Sequence, residues 1–128
     1  MRREDLYLCD ILEAADAIAK FITDISAENF GENDLIRSAV LQKLLIIGES
    51  AARLSEDFKA KRPEFPWREI VGFRNIAIHA YFAVDWQIVW KAAIINAPQL
   101  RRQIAEILSK EYPSTYQKFH DGALDDTR

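Results

Sequence analysis

No proline occurs before position 63 of this chain. A stretch that long, free of the residue that removes a backbone donor and clashes with the preceding turn, favours helices over many short turned strands. Its apolar residues also recur at helical rather than alternating spacing. Leu8, Ile11, Leu12, Ala15, Ile18, Ala19 and Ile22 are 3, 1, 3, 3, 1 and 3 positions apart, one face of a helix from about Asp5 to Thr23. Asp10, Glu13, Asp16 and Lys20 take the other side, with Asp16 four residues before Lys20 in the favourable order. The expectation is an all-α chain.

Residues 24–32 are polar and read as a connection, with a turn of helix after Ser26. A second helix starts at Asn33 or Asp34, either of which can cap its first turn, and runs to about Phe58. Ile36, Val40, Leu44, Ile47, Ala51, Leu54 and Phe58 form one stripe; Leu41, Leu45, Gly48 and Ala52 form a second beside it. An arc this wide must be covered on more than one side, and a second copy of the chain is one candidate cover. Gly48 costs roughly 1 kcal/mol of helix propensity relative to alanine, a cost that fits close approach by another backbone. Glu49 and Ser50 beside the arc are either capped by a partner or line a cleft.

Pro63 and Pro66 break the chain after Lys59, and Pro66 suits the first position of a short helix from Trp67 to about Ile78. Asp85 reads as the N-cap of a last long helix reaching Lys110, kinked at Pro98. From Glu111 the sequence turns polar and aperiodic, a tail that Tyr116 and Phe119 could anchor in part. The layout is therefore an antiparallel bundle of four to five helices over 1–110, with a tail over 111–128.

Bulk properties remove several function classes. The lone Cys9 allows neither an internal disulfide nor a thiolate metal cluster. No apolar run approaches the roughly 20 residues that span a bilayer, and no signal peptide is evident, so a cytoplasmic location without membrane association is expected. The formal net charge of −3 does not suit a general nucleic-acid coat. Charge is uneven, though: residues 53–74 carry Arg53, Lys59, Lys61, Arg62, Arg68 and Arg74 against Glu56, Asp57, Glu64 and Glu69. Such a region is either a solvated helix face or a seat for a phosphate backbone.

The densest chemistry lies in Arg74-Asn75-Ile76-Ala77-Ile78-His79-Ala80-Tyr81. Arginine binds phosphate oxygens bidentately, histidine titrates near neutrality, and tyrosine can donate or relay a proton. A lone histidine near a helix end is more often a structural hydrogen-bonder than a catalyst. In an unbroken helix Arg74 and His79 lie about 140° apart, so they converge only if the helix ends near His79. The carboxylates show no metal-ligand spacing, and no second histidine or cysteine lies nearby, so neither metal nor cofactor is expected. Asn75 reads as a support for the loop or for His79, and Asp85 as a cap rather than a base.

These residues resemble the motif of the HEPN superfamily: Arg, four to six residues, His, one residue, Tyr. The resemblance is closer to the HepT-like toxins and covers most of residues 4–109. It includes Asp5-Leu6-Tyr7-Leu8, Asp10-Ile11-Leu12, Ile47-Gly48-Glu49, Phe65-Pro66-Trp67, Arg74-Asn75, His79-Ala80-Tyr81-Phe82 and Asp85. It implies a homodimeric helical bundle that cleaves RNA without metal, with Arg74 and His79 catalytic and Tyr81 catalytic or positioning. It also implies a partner, an MntA-like minimal nucleotidyltransferase antitoxin able to attach AMP to Tyr81. The same scaffold accommodates a non-catalytic module that binds nucleotide, or that serves as one subunit of a two-chain nucleotidyltransferase.

Overall fold

The computed structural model describes residues 3–80 and 85–122, and among them every regular element is helical. Helix α1 (Glu4–Phe21) follows the predicted stripe: Leu8, Ile11, Leu12, Ala15 and Ile18 are buried. Glu4 and Asp5 in its first turn and Lys20 in its last complement the helix dipole. The turn expected after Ser26 is α2 (Ala27–Glu32), capped by the Ser26 hydroxyl, which accepts from the Asn29 N–H at 3.1 Å. Its Phe30 is buried against the rings of Trp86 and Trp90.

Helix α3 (Asp34–Arg53) is the central element, and Asn33 rather than Asp34 caps it, accepting from the Ile36 N–H at 3.0 Å. It stops five residues short of the expected Phe58. Leu54 and Ser55 turn extended, and the Ser55 hydroxyl caps a separate helix α4 (Glu56–Ala60) by accepting from the Phe58 N–H. The Glu4 carboxylate accepts from the Ser55 N–H at 3.3 Å. Leu54 and Phe58 are both buried, which is why the apolar spacing read as one continuous helix. The wide arc of α3 is covered within the chain, by α1 on one side and α5 and α6 on another, so it does not itself call for a second copy.

The segment after Pro66 is two helices, α5 (Trp67–Val71) and α6 (Phe73–Ala80), divided at Gly72. Pro66 is the N-cap of α5 rather than its first residue. Asp85 caps α7 (Trp86–Lys91) as predicted, its carboxylate accepting from the Gln87 N–H at 3.0 Å. A π-helical turn, Ala92–Asn96, then leads into α8 (Ala97–Glu111). Pro98 sits in the first turn of α8, and the wider turn before it accommodates the ring and the missing N–H. The stretch expected to be aperiodic carries α9 (Pro113–His120), with Tyr116 and Phe119 packed on the core.

Three long-range links set the helix directions. The start of α1 meets the end of α3 through Glu4 and Ser55. Asp16, late in α1, pairs with Arg101 early in α8 at 2.8 Å. Asp5, early in α1, accepts from the Thr115 hydroxyl of α9 at 2.6 Å. So α1 runs antiparallel to both α3 and α8, and the core lies between the three. Burying each Leu or Ile there is worth about 1.5–3 kcal/mol. No helix among the described residues is long and apolar enough to cross a membrane.

Candidate functional site

The motif region is positioned by one close helix contact. A Cβ built on Gly48 would lie 2.4 Å from the Arg74 backbone nitrogen, 2.8 Å from its Cβ and 3.0 Å from its Cα. No side chain fits that gap, so the glycine expected to admit another backbone admits that of Arg74. The contact seats α6 on α3 with Arg74 beside Glu49.

The guanidinium Nη1 of Arg74 donates to Glu49 Oε1 at 3.4 Å, and the two side chains are 37% and 38% exposed. The bond is long, and among the described residues Glu49 is the guanidinium's only side-chain partner. A guanidinium has five N–H donors, so Arg74 keeps most of them for an incoming anion. Glu49, one of the two polar residues beside the arc of α3, is thus part of the arginine's surroundings. The signal was its place next to Gly48: whatever the glycine admits must pass the neighbouring side chain.

Asn75 is exposed on α6, and no described residue bonds its side chain. The backbone stays helical through His79 and Ala80. Helix α6 is described as far as Ala80, one residue past His79, and the positions of Arg74 and His79, five apart, stand roughly 140° apart around its axis. The His79 side chain and all of Tyr81 lie outside the described residues. No three His, Cys, Asp or Glu side chains come together as a metal-binding group among the described residues.

The positive stretch from 53 to 74 is largely neutralised locally. Lys59 pairs with Glu56 at 3.3 Å, Lys61 with Asp57 at 3.2 Å, and Arg62 with Glu111. Arg62 also stacks over the Phe58 ring at 3.8 Å, so it holds the α4–α5 connection together. Arg53 and Arg68 remain exposed and without a partner among the described residues.

A family model described as "Ribonuclease HepT-like" matches residues 11–107. The chain belongs to the HepT-like ribonuclease family. It is 41% identical to a Methanocaldococcus jannaschii protein named "Putative RNase MJ1380", over 77% of this chain and 90% of the relative. It is 39% identical to the "Probable ribonuclease HepT" of Thermococcus cleftensis, over 79% and 92%. It is 36% identical to "Putative RNase TTE0752" of Caldanaerobacter subterraneus subsp. tengcongensis, over 82% and 94%. No solved structure matches the chain.

Proposed function

We propose that this HepT-like chain is a metal-independent RNA endonuclease that acts as a homodimer, the toxin of a pair silenced by an MntA-like nucleotidyltransferase. The observation that carries this reading is the half-exposed Arg74 guanidinium, held by one long contact on the helix that also bears His79, in a chain whose relatives are named ribonucleases.

In the reaction the RNA 2′-hydroxyl attacks its neighbouring phosphorus. A base removes the hydroxyl proton, the bond to the 5′-oxygen breaks, and an acid protonates that oxygen. The products are a 2′,3′-cyclic phosphate and a 5′-hydroxyl. Arg74 stabilises the added charge on phosphorus. Base and acid are two copies of His79, one from each chain, and Tyr81 positions the phosphate or assists proton transfer. Asn75 supports the loop.

The second copy has its own motive on the surface. Ile78 at the end of α6 is 47% exposed, Ile88 on α7 is 50%, and Ile94 and Ile95 in the π-helical turn are 41% and 50%. These apolar side chains flank the segment that holds the rest of the motif, and a partner copy would cover them. AMP attached to Tyr81 by the nucleotidyltransferase would then place a bulky anion where an RNA phosphate must sit, blocking and repelling it.

The test is to incubate purified protein with RNA in EDTA beside Arg74→Ala and His79→Ala. Cleavage by wild type, lost in both folded variants, supports the nuclease. No cleavage of any RNA would favour the non-catalytic module. Co-expression with the nucleotidyltransferase should add one AMP to wild type and none to Tyr81→Phe; an equal mass shift in both would place the modification elsewhere.

A further inference from the structure

A small cavity opens between α5–α6 and the start of α8. Its floor is apolar, formed by Ile70, Phe73 and Leu100, all of them buried. The amide-bearing residues Asn96, Gln99 and Gln103 also line it, as does Glu69 of α5. The spacing of three and four residues puts the amides on one face as the π-helical turn passes into α8. Among the described residues none of the four polar groups has a hydrogen-bond partner.

The chemistry of this lining selects its occupant. It holds a carboxylate and no cation, so a phosphate would be repelled. Neutral amides offer a donor and an acceptor side by side, which is what the edge of a nucleobase requires, and amides pair bidentately with adenine. A carboxylate only accepts, so it suits bases with an exocyclic amine and disfavours uracil at that edge. The apolar floor suits the ring. The free volume of about 70 Å³ is room for roughly five water-sized centres, comparable to a six-membered ring. Phe73, which forms part of the floor, directly precedes Arg74 in the chain.

We propose that this cavity is a base-recognition subsite, which receives an amine-bearing base of single-stranded RNA splayed out beside the phosphate that Arg74 engages. It rests on the reading of the chain as an RNA-cleaving enzyme. Unstacked bases are what proteins read in single-stranded RNA, through their exposed edges. Glu69 and the amides would then determine which nucleotide lies next to the cut.

The experiment measures binding of uncleavable RNA, so it does not depend on catalysis. Fluorescently labelled 2′-O-methyl decauridine is titrated against the same strand with one central A, C or G. At least one amine-bearing base should tighten binding about tenfold over uracil, the scale of a good bidentate base contact. Asn96→Leu and Gln103→Met should bring that preference to within twofold. Glu69→Gln should erode it as well, because an amide can also donate to a uracil carbonyl. The exposed Gln99→Ala provides a variant unable to disturb the fold, and it should weaken the preference in the same direction. No base preference in wild type, or a preference that survives all four substitutions, overturns the proposal. Cleavage of all-ribose RNA with no such preference sinks the subsite alone; base preference without cleavage sinks the nuclease and leaves the subsite standing.

Discussion

Replacing Gly48 by alanine places one methyl group where α3 and α6 are closest. The new Cβ would meet the Arg74 nitrogen at 2.4 Å, whereas ordinary contact begins near 3.4 Å, so the two helices must separate locally by 3.4 − 2.4 = 1.0 Å. Both atoms belong to or adjoin helical backbone, so no flexible side chain can absorb the shift. Two effects oppose each other in stability. Alanine gains roughly 1 kcal/mol of helix propensity, and overpacking costs about 1–3 kcal/mol. The net loss is therefore small, about 0–2 kcal/mol, and the melting temperature should fall by no more than several degrees. Function should suffer far more, because a misplacement of about 1 Å in a catalytic group can cost on the order of 100-fold in rate. The assays are thermal unfolding, amide hydrogen exchange across 73–80, and RNA cleavage in EDTA. A folded Gly48→Ala protein with wild-type exchange in α6 and cleavage within about threefold of wild type would refute the close-approach argument.

Two further perturbations read separate parts of the molecule. Asp5 is buried, which by itself raises its carboxyl, but hydrogen bonds from Arg3 and Thr115 outweigh burial and hold it below the ordinary value of 3.8. Its contribution is thus fully present above that value and lost as pH falls through the lower folded one. Asp5→Asn should cost about 1.5–3 kcal/mol at pH 7, and chemical denaturation should show the gap to wild type closing only below about pH 4; a constant gap down to pH 2 would be the contrary result. Glu49→Gln removes a half-exposed pair worth about 0–1 kcal/mol, so the melting temperature should barely move. RNA affinity should rise a few-fold as a carboxylate leaves the phosphate's neighbourhood, and kcat should fall as Arg74 loosens; no change in either would show that Glu49 does nothing for the arginine.

Periodicity carried the long helices well, because one buried face dictates the spacing of α1 and of most of α3. It failed at Leu54 and Ser55 for an identifiable reason. The stripe runs on through Leu54 and Phe58, and both are buried, yet Ser55 followed by Glu56 and Asp57 is a helix-start signature that ends one helix and begins another. Gly72 divided the next helix in the same unannounced way. The last helix hid behind Pro113, which reads as a breaker but stands at the first position of α9, where its missing N–H costs nothing. At the site, Gly48 announced a close neighbour without naming it. Only the fold could supply Arg74, because that pairing joins residues 26 apart in sequence.

The unbroken course of α6 through His79 bears on how the site could be assembled. Had the helix ended before His79, one chain could have turned arginine and histidine toward the same phosphate. With both on one continuous helix, the two backbone positions stand about 140° apart around its axis. Arg74 leans toward α3 and Glu49, and the exposed isoleucines lie at the end of α6, on α7 and in the π-helical turn. A partner copy seated on those isoleucines would bring its own motif helix against this one, so that a phosphate held by one chain's Arg74 could be met by the other chain's His79. This arrangement makes a specific demand: titrating wild type with His79→Ala protein should lower RNA cleavage below the share of wild-type chains, because a mixed dimer keeps only one of the two histidines that serve as base and acid. If activity instead falls only in proportion to the wild-type chains while native mass spectrometry shows that mixed dimers have formed, each chain must supply a complete site, and the trans assembly is wrong.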